Sequence, residues 1–193
     1  MTTRKKGPES SSTDWGSIPH GEHCVQVYRD ESSLLRSLVD FVRTGFRAGE
    51  SAVVIATAAH RSSLSMWLRA EGHDLDALEA SGRYTVLDAA DTLSRFMVGG
   101  APDPERLEAT IREALAPAHR SGRKIRLFGE MVALLWNQGN GASTLQLERL
   151  WDDFSKQQGV TLFCAYPCIG ATRDLGESLA EVCAVHSRVL VAA

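Results

Sequence analysis

From His20 onward, short apolar runs alternate with amphipathic helical stretches, and few architectures accept that order. Cys24–Tyr28 alternates like a strand, and Asp30 can cap a helix carrying Leu34, Leu35, Leu38, Val39, Val42 and Phe46 at 3.6-residue spacing. Ala52–Ala56 is a continuous apolar, β-branched run, the pattern of a strand buried on both faces. A helix over Arg61–Glu71, a strand over Arg83–Leu87 and a weaker helix over Asp91–Val98 follow. Asp103-Pro104 then opens a long helix with Leu107, Ile111, Ala114, Leu115 and Ala118 on one stripe. Lys124–Phe128 reads as a strand, Val132–Trp136 as a helix start, and Ser143 with Gln146 as a capping box. Thr161–Tyr166 is the last expected strand. Leu175, Leu179, Val182, Cys183, His186, Val189 and Leu190 give a closing amphipathic helix.

A βαβ series of this kind predicts an α/β fold: a mostly parallel sheet of five or more strands with helices on both faces and right-handed crossovers. Ligands in such sheets sit beyond the carboxyl ends of the strands. Those ends are Tyr28-Arg29-Asp30, Thr57–His60, Asp88, Gly129-Glu130 and Tyr166-Pro167. The 193 residues suffice for one domain, taken as 20–193. The polar residues 1–19 read as a disordered lead-in.

Composition removes several functional classes. A net charge of -3 speaks against a polybasic nucleic-acid or membrane-surface protein. No run approaches the roughly eighteen apolar residues of a membrane span. With four cysteines the chain is no disulfide scaffold, and a cytoplasmic location is expected. A phosphate loop needs glycines, a lysine and a hydroxyl, yet no Gly-Lys dipeptide occurs. The first strand instead runs into Arg29-Asp30-Glu31-Ser32-Ser33, which would repel a triphosphate. No dinucleotide fingerprint and no G-x-S-x-G elbow occur, so the expectation is a protein that is not an enzyme and carries no cofactor.

Metal chemistry receives separate weight. Cys164-x3-Cys168, Cys183 with His186 three residues on, and His23-Cys24 could bind zinc if they converged. Cys24, Cys164 and Cys183 lie in apolar runs, however, where cysteine packs as a small hydrophobe, so no metal is expected. Asp88 and Glu130 read first as helix-capping acids, with Glu130 the better polar anchor for a pocket. His186, on an apolar stripe, reads first as a core histidine bonded to a backbone carbonyl. Trp136 precedes a loop-like Asn137–Gly141 segment that could act as a lid.

Several local patterns together resemble a known family. They are His23-x4-Tyr28, Gly45-x3-Gly49-Glu50 before Val-Val-Ile, His60, Leu64…Leu68…Gly72 and Phe128-Gly129-Glu130-Met131 with Trp136. Glu148, Phe163-Cys164-Ala165-Tyr166-Pro167 and Val182-Cys183-x2-His186 complete the set. In this order they resemble the MEDS family, the methanogen/methylotroph DcmR sensory domains, over about residues 20 to 190. The resemblance implies a three-layer RecA/KaiC-like fold without the phosphate loop and a sensory role in signalling. By motif position it implies a ligand pocket of His23, Tyr28, Glu130, Trp136, Tyr166 and His186. Its signals would be small organic compounds. Its output would pass to a signalling protein, such as a histidine kinase or transcription regulator, or to a homo-oligomer, without direct nucleic-acid or membrane contact. The competing reading is an interaction module that regulates a kinase or anti-sigma ATPase. A degenerate nucleotide binder is a third.

Overall fold

The Ala52–Ala56 run lies within strand β2 (Ser51–Ala56), and its side chains divide between two cores. Val53 and Ile55 enter one core and Ala52, Val54 and Ala56 the other, the period-2 outcome of a strand covered on both faces. The computed structural model describes residues 13–120, 122–168 and 173–191. Its main sheet has six strands in the order β3-β2-β6-β7-β1-β8, every neighbouring pair parallel. The other strands are β1 (His23–Tyr28), β3 (Tyr84–Asp88), β6 (Ile125–Gly129), β7 (Thr161–Pro167) and β8 (Arg188–Val191). β4 (Met97–Val98) and β5 (Ala101–Pro102) form a small separate hairpin.

Helices α1 (Glu31–Arg47), α2 (Ala58–Ala70) and α3 (Leu75–Ala80) cover one face. Helices α4 (Ala89–Phe96), α5 (Pro104–Arg120), α6 (Met131–Asn137) and α7 (Gly141–Gln158) cover the other. Helix α8 (Arg173–Val185) packs against α7 and places Val182 in the same core. The doubly covered parallel sheet expected from the sequence is therefore present.

Local chemistry sets the element ends. Asp30 accepts from Ser33 N at 2.8 Å and starts α1. Asp88 accepts from the amides of Ala90 and Asp91 and starts α4, so it is the capping acid the sequence suggested. Gly159, at φ 64°, takes the left-handed turn that ends α7.

Four readings need correction. Residues 13–19 do not belong to a disordered lead-in: Trp15 and Ile18 are buried in one core, Trp15 between Phe41 of α1 and Phe163 of β7. Residues 1–12 lie outside the described residues. The last helix ends at Val185 instead of running to Leu190, and Arg188–Val191 is a parallel edge strand beside β1. Ser187 makes the break, its amide and hydroxyl both donating to His23 O at 2.9 and 3.0 Å. The segment between α6 and α7 is a tight connection rather than a lid. Asn140 caps α7, and Asn140 Nδ2 and Ser143 Oγ both donate to Gly100 O. Gln146 donates to Pro102 O instead of closing a capping box.

Candidate functional site

At the carboxyl ends of β1, β2 and β6 a crevice of about 510 Å³ opens to solvent. Tyr28, Glu31, Thr57, His60, Ser63, Glu130, Leu134 and Asn137 line it. β6 delivers Glu130 at its end, and β2 delivers Thr57 and, one helical turn later, His60. Glu130 occupies the N-cap position of α6 but makes no capping bond there. Its carboxylate reaches across instead, accepting from Thr57 N at 2.7 Å, Thr57 Oγ1 at 3.3 Å and His60 Nδ1 at 2.8 Å. Glu130 therefore ties the end of β6 to the start of α2, and its reading as a helix-capping acid does not hold.

His60 stands between two carboxylates, with Nε2 at 2.5 Å from Glu31 Oε2. Both ring nitrogens face acceptors, an arrangement only the imidazolium satisfies. The hydrogen bond to Glu130 is the main cause raising its pKa to about 9, working against burial and helped by Glu31. Burial, with Glu31 and Glu130 nearby, also raises the Tyr28 phenol, which stays protonated and can donate. Arg61 adds no free cation. Its guanidinium donates to Ala56 O and pairs with Asp88 at 2.6 Å.

The pair carries a pH prediction. The folded His60 pKa lies above the ordinary 6.5, so its stabilisation is complete below pH 6.5 and is lost as pH rises through about 9. Allowing for the solvent-exposed Glu31 arm, the loss is about 2 kcal/mol. Urea unfolding at pH 6 and pH 9.5 should show it for the wild type and not for His60→Gln. An equal loss in both proteins would place the titration elsewhere.

A second assembly lies buried behind the sheet. Glu148 on α7 is fully buried, and its Oε2 lies 3.3 Å from His23 Nε2 and 3.3 Å from His186 Nε2. Cys164 Sγ on β7 lies 3.5 Å from His23 Nε2. Tyr166 donates its hydroxyl to Glu148 Oε1, and His186 donates from Nδ1 to Val182 O at 2.7 Å. Burial alone would raise the Glu148 carboxyl, but the close approach of the His186 and His23 rings outweighs it and holds it at about 2. Burial lowers His23 and pushes the Cys164 thiol and the Tyr166 phenol well up, with Glu148 adding to both rises.

The six residues singled out in the sequence thus divide. Tyr28 and Glu130 line the crevice, whereas His23, Tyr166 and His186 belong to the buried assembly. Trp136 joins neither directly. It packs edge-on against Tyr166 at 5.6 Å, while Leu134 and Asn137 on the same helix line the crevice. The bond from His186 to a backbone carbonyl is the one expected of a core histidine, though its second nitrogen faces Glu148. Among the cysteines weighed for metal, only Cys164 reaches this assembly. Cys24 lies in the opposite core and Cys168 is exposed. Glu148, His60 and Thr57 had not been singled out as binding residues. An acid in line with the buried Thr144, Leu147, Trp151 and Ser155 of α7 was the available signal for Glu148.

No curated protein matches the chain. Among solved structures it resembles a KaiC-like protein from the hyperthermophilic archaeon Pyrococcus horikoshii, with a TM-score of 0.62 at 16% identity. The match covers 90% of this chain and 73% of that one, so the fold is KaiC-like. The model of the methanogen/methylotroph, DcmR sensory domains matches residues 22–187. The chain belongs to this MEDS family of sensory domains.

Proposed function

We propose that this domain is a non-catalytic sensor that binds a small polar organic molecule, neutral or cationic, in the strand-end crevice. It passes the signal to a partner protein or to a second copy of itself. The observation that carries this reading is the charge pattern of the crevice. Two carboxylates, Glu31 and Glu130, bracket one imidazolium, and the nearest arginine is already paired. The local balance is negative, which disfavours phosphate and favours hydroxyl, carbonyl or amine groups. The amino end of α1, where a phosphate loop would deliver its amides, is capped by the Asp30 carboxylate. Tyr28, Ser63 and Asn137 remain as uncharged hydrogen-bonding groups for such a ligand.

Melting temperature against a panel of short alcohols, aldehydes, amines and carboxylates tests the reading. A ligand at about 100 times its Kd contributes about 2.7 kcal/mol, or roughly 5–10 °C in a domain of this size. The rise should occur with neutral or cationic compounds and vanish in Ser63→Phe, which fills the crevice. Magnesium-dependent ATP hydrolysis abolished by Glu130→Gln would overturn the sensor. A second reading, a protein-interaction module, draws on Met66 and Trp67, exposed at 64% and 49% on α2. It would be favoured if no compound shifted the transition while Trp67→Ala cost partner capture.

A further inference from the structure

The buried assembly has the composition and spacing of a closed metal site. The structure assigns His23, Glu148, Cys164 and His186 as the four ligands of one divalent transition-metal ion of the zinc class. Their donor atoms all lie within 4.8 Å of one another, and all four residues are buried. A tetrahedral ion about 2.0–2.1 Å from nitrogen or oxygen and about 2.3 Å from sulfur needs N–O edges of about 3.3 Å and an S–N edge of about 3.5 Å. The observed His23–Glu148 and His186–Glu148 separations are both 3.3 Å, and His23–Cys164 is 3.5 Å.

The protein atoms leave a deficit at the centre. Glu148 Oε2 and His186 Nε2 have no hydrogen-bond partner despite complete side-chain burial. With Nδ1 donating to Val182 O, the His186 ring turns Nε2 toward the Glu148 carboxylate at 3.3 Å. A proton on Nε2 would bridge that one pair, but only a metal cation at the centre would also engage the Cys164 sulfur and His23 Nε2. For a divalent ion with one thiolate, one carboxylate and two neutral imidazoles, the charge sums to zero. A dry interior tolerates that total.

The surrounding contacts are those that orient metal ligands. His186 Nδ1 is fixed by a backbone carbonyl and Glu148 Oε1 by the Tyr166 hydroxyl, whereas His23 Nδ1 has no hydrogen-bond partner, with Asp152 Oδ1 3.7 Å away. The mixed N, O and S donors suit zinc, cobalt or ferrous iron better than calcium or magnesium. The four ligands come from β1, α7, β7 and the turn between α8 and β8. One ion would therefore pin the C-terminal elements to the sheet. Cys164 must lose its thiol proton as the ion enters, so loading releases protons to solvent.

Refolding with cobalt tests the assignment. The full chain is unfolded in guanidinium with a chelator, then refolded with Co²⁺. One Co²⁺ per chain is expected, with the visible bands of tetrahedral cobalt and a near-ultraviolet thiolate-to-cobalt band. Cys168→Ser should retain that band and Cys164→Ser should lose it. Tyr166→Phe, which acts through Glu148, should retain the spectrum with affinity about 10–100-fold weaker. Wild-type chain that refolds with its normal unfolding transition but takes up no Co²⁺ overturns the assignment. So does a thiolate band that disappears in Cys168→Ser.

Discussion

Trp15→Ala should lower the unfolding free energy by about 3–5 kcal/mol, with a fall in melting temperature of roughly 8–16 °C. The residue is 1% exposed. Its ring packs at 4.7 Å from both Phe41 of α1 and Phe163 of β7, closing a gap between the helix layer and the sheet. Phe41 and Phe163 also pack on each other, with ring centroids 5.4 Å apart, which holds both rings in place when the indole is removed. The indole N–H is buried without a partner, so part of the burial gain is already offset. Trp15→Phe removes that orphan donor along with some volume. It should cost less than half as much as the alanine variant. Guanidinium unfolding of both proteins checks the pair. A loss below about 1 kcal/mol for Trp15→Ala would mean that the 13–19 segment is not docked in solution.

The misreading of that segment shows what periodicity can convey. Trp15 and Ile18 stand alone among polar residues and repeat at neither strand nor helix spacing. The partners of Trp15 lie far along the chain, on α1 and β7, so nothing local marked it as core. The C-terminal error has a different cause. Val182, His186, Val189 and Leu190 satisfy a helical stripe, and Arg188–Val191 also satisfies a short strand. The free edge of β1 and the Ser187 bonds to His23 O decide in favour of the strand. The sheet itself was legible, because five of its six strands are apolar or alternating runs bounded by turn residues.

The site was half legible for the same reason. Strand ends are visible in a sequence, so Tyr28 and Glu130 could be placed at a crevice. Convergence across layers is not visible. His23 precedes Glu148 by most of the chain, and only the β1–β7 pairing and the packing of α7 on the sheet bring them within 3.3 Å. Motif order included Glu148 beside His23, Tyr166 and His186, but only its burial among them shows that it is the carboxylate that joins them.

Arg126→Met should cost about 3–5 kcal/mol, as breaking a buried ion pair does when the other charge stays behind. Arg126 and Glu50 are 2% and 6% exposed, and Arg126 Nε donates to Glu50 Oε2 at 2.5 Å. The guanidinium also donates to Trp15 O at 3.2 Å and stacks over Phe41 at 5.3 Å. Gly45 is what lets the side chain pass: a Cβ there would lie 2.8 Å from Arg126 Cδ. Glu50 keeps only His20, at 3.0 Å, once the arginine is gone. Glu50→Met alone should be similarly costly, and the double variant should cost less than the sum by at least about 1 kcal/mol. Additive single losses would show that the two charges do not depend on each other.

This pair has a counterpart at the opposite end of the same two strands. Glu50 enters β2 and is held by Arg126 of β6, while Glu130 leaves β6 and is held by Thr57 and His60 beyond β2. The two carboxylates reach across in opposite directions, so a slip of β2 against β6 would break both ties at once. The ends are nevertheless chemically separate, since Arg126 touches nothing in the crevice group. With His20→Gln in both proteins, since His20 also faces Glu50, Arg126→Met should therefore lower stability equally at pH 6 and pH 9.5 and leave the His60-dependent loss between them unchanged in size. A smaller loss in the variant would mean that the buried pair positions Glu130, and that the crevice depends on the far end of its own strands.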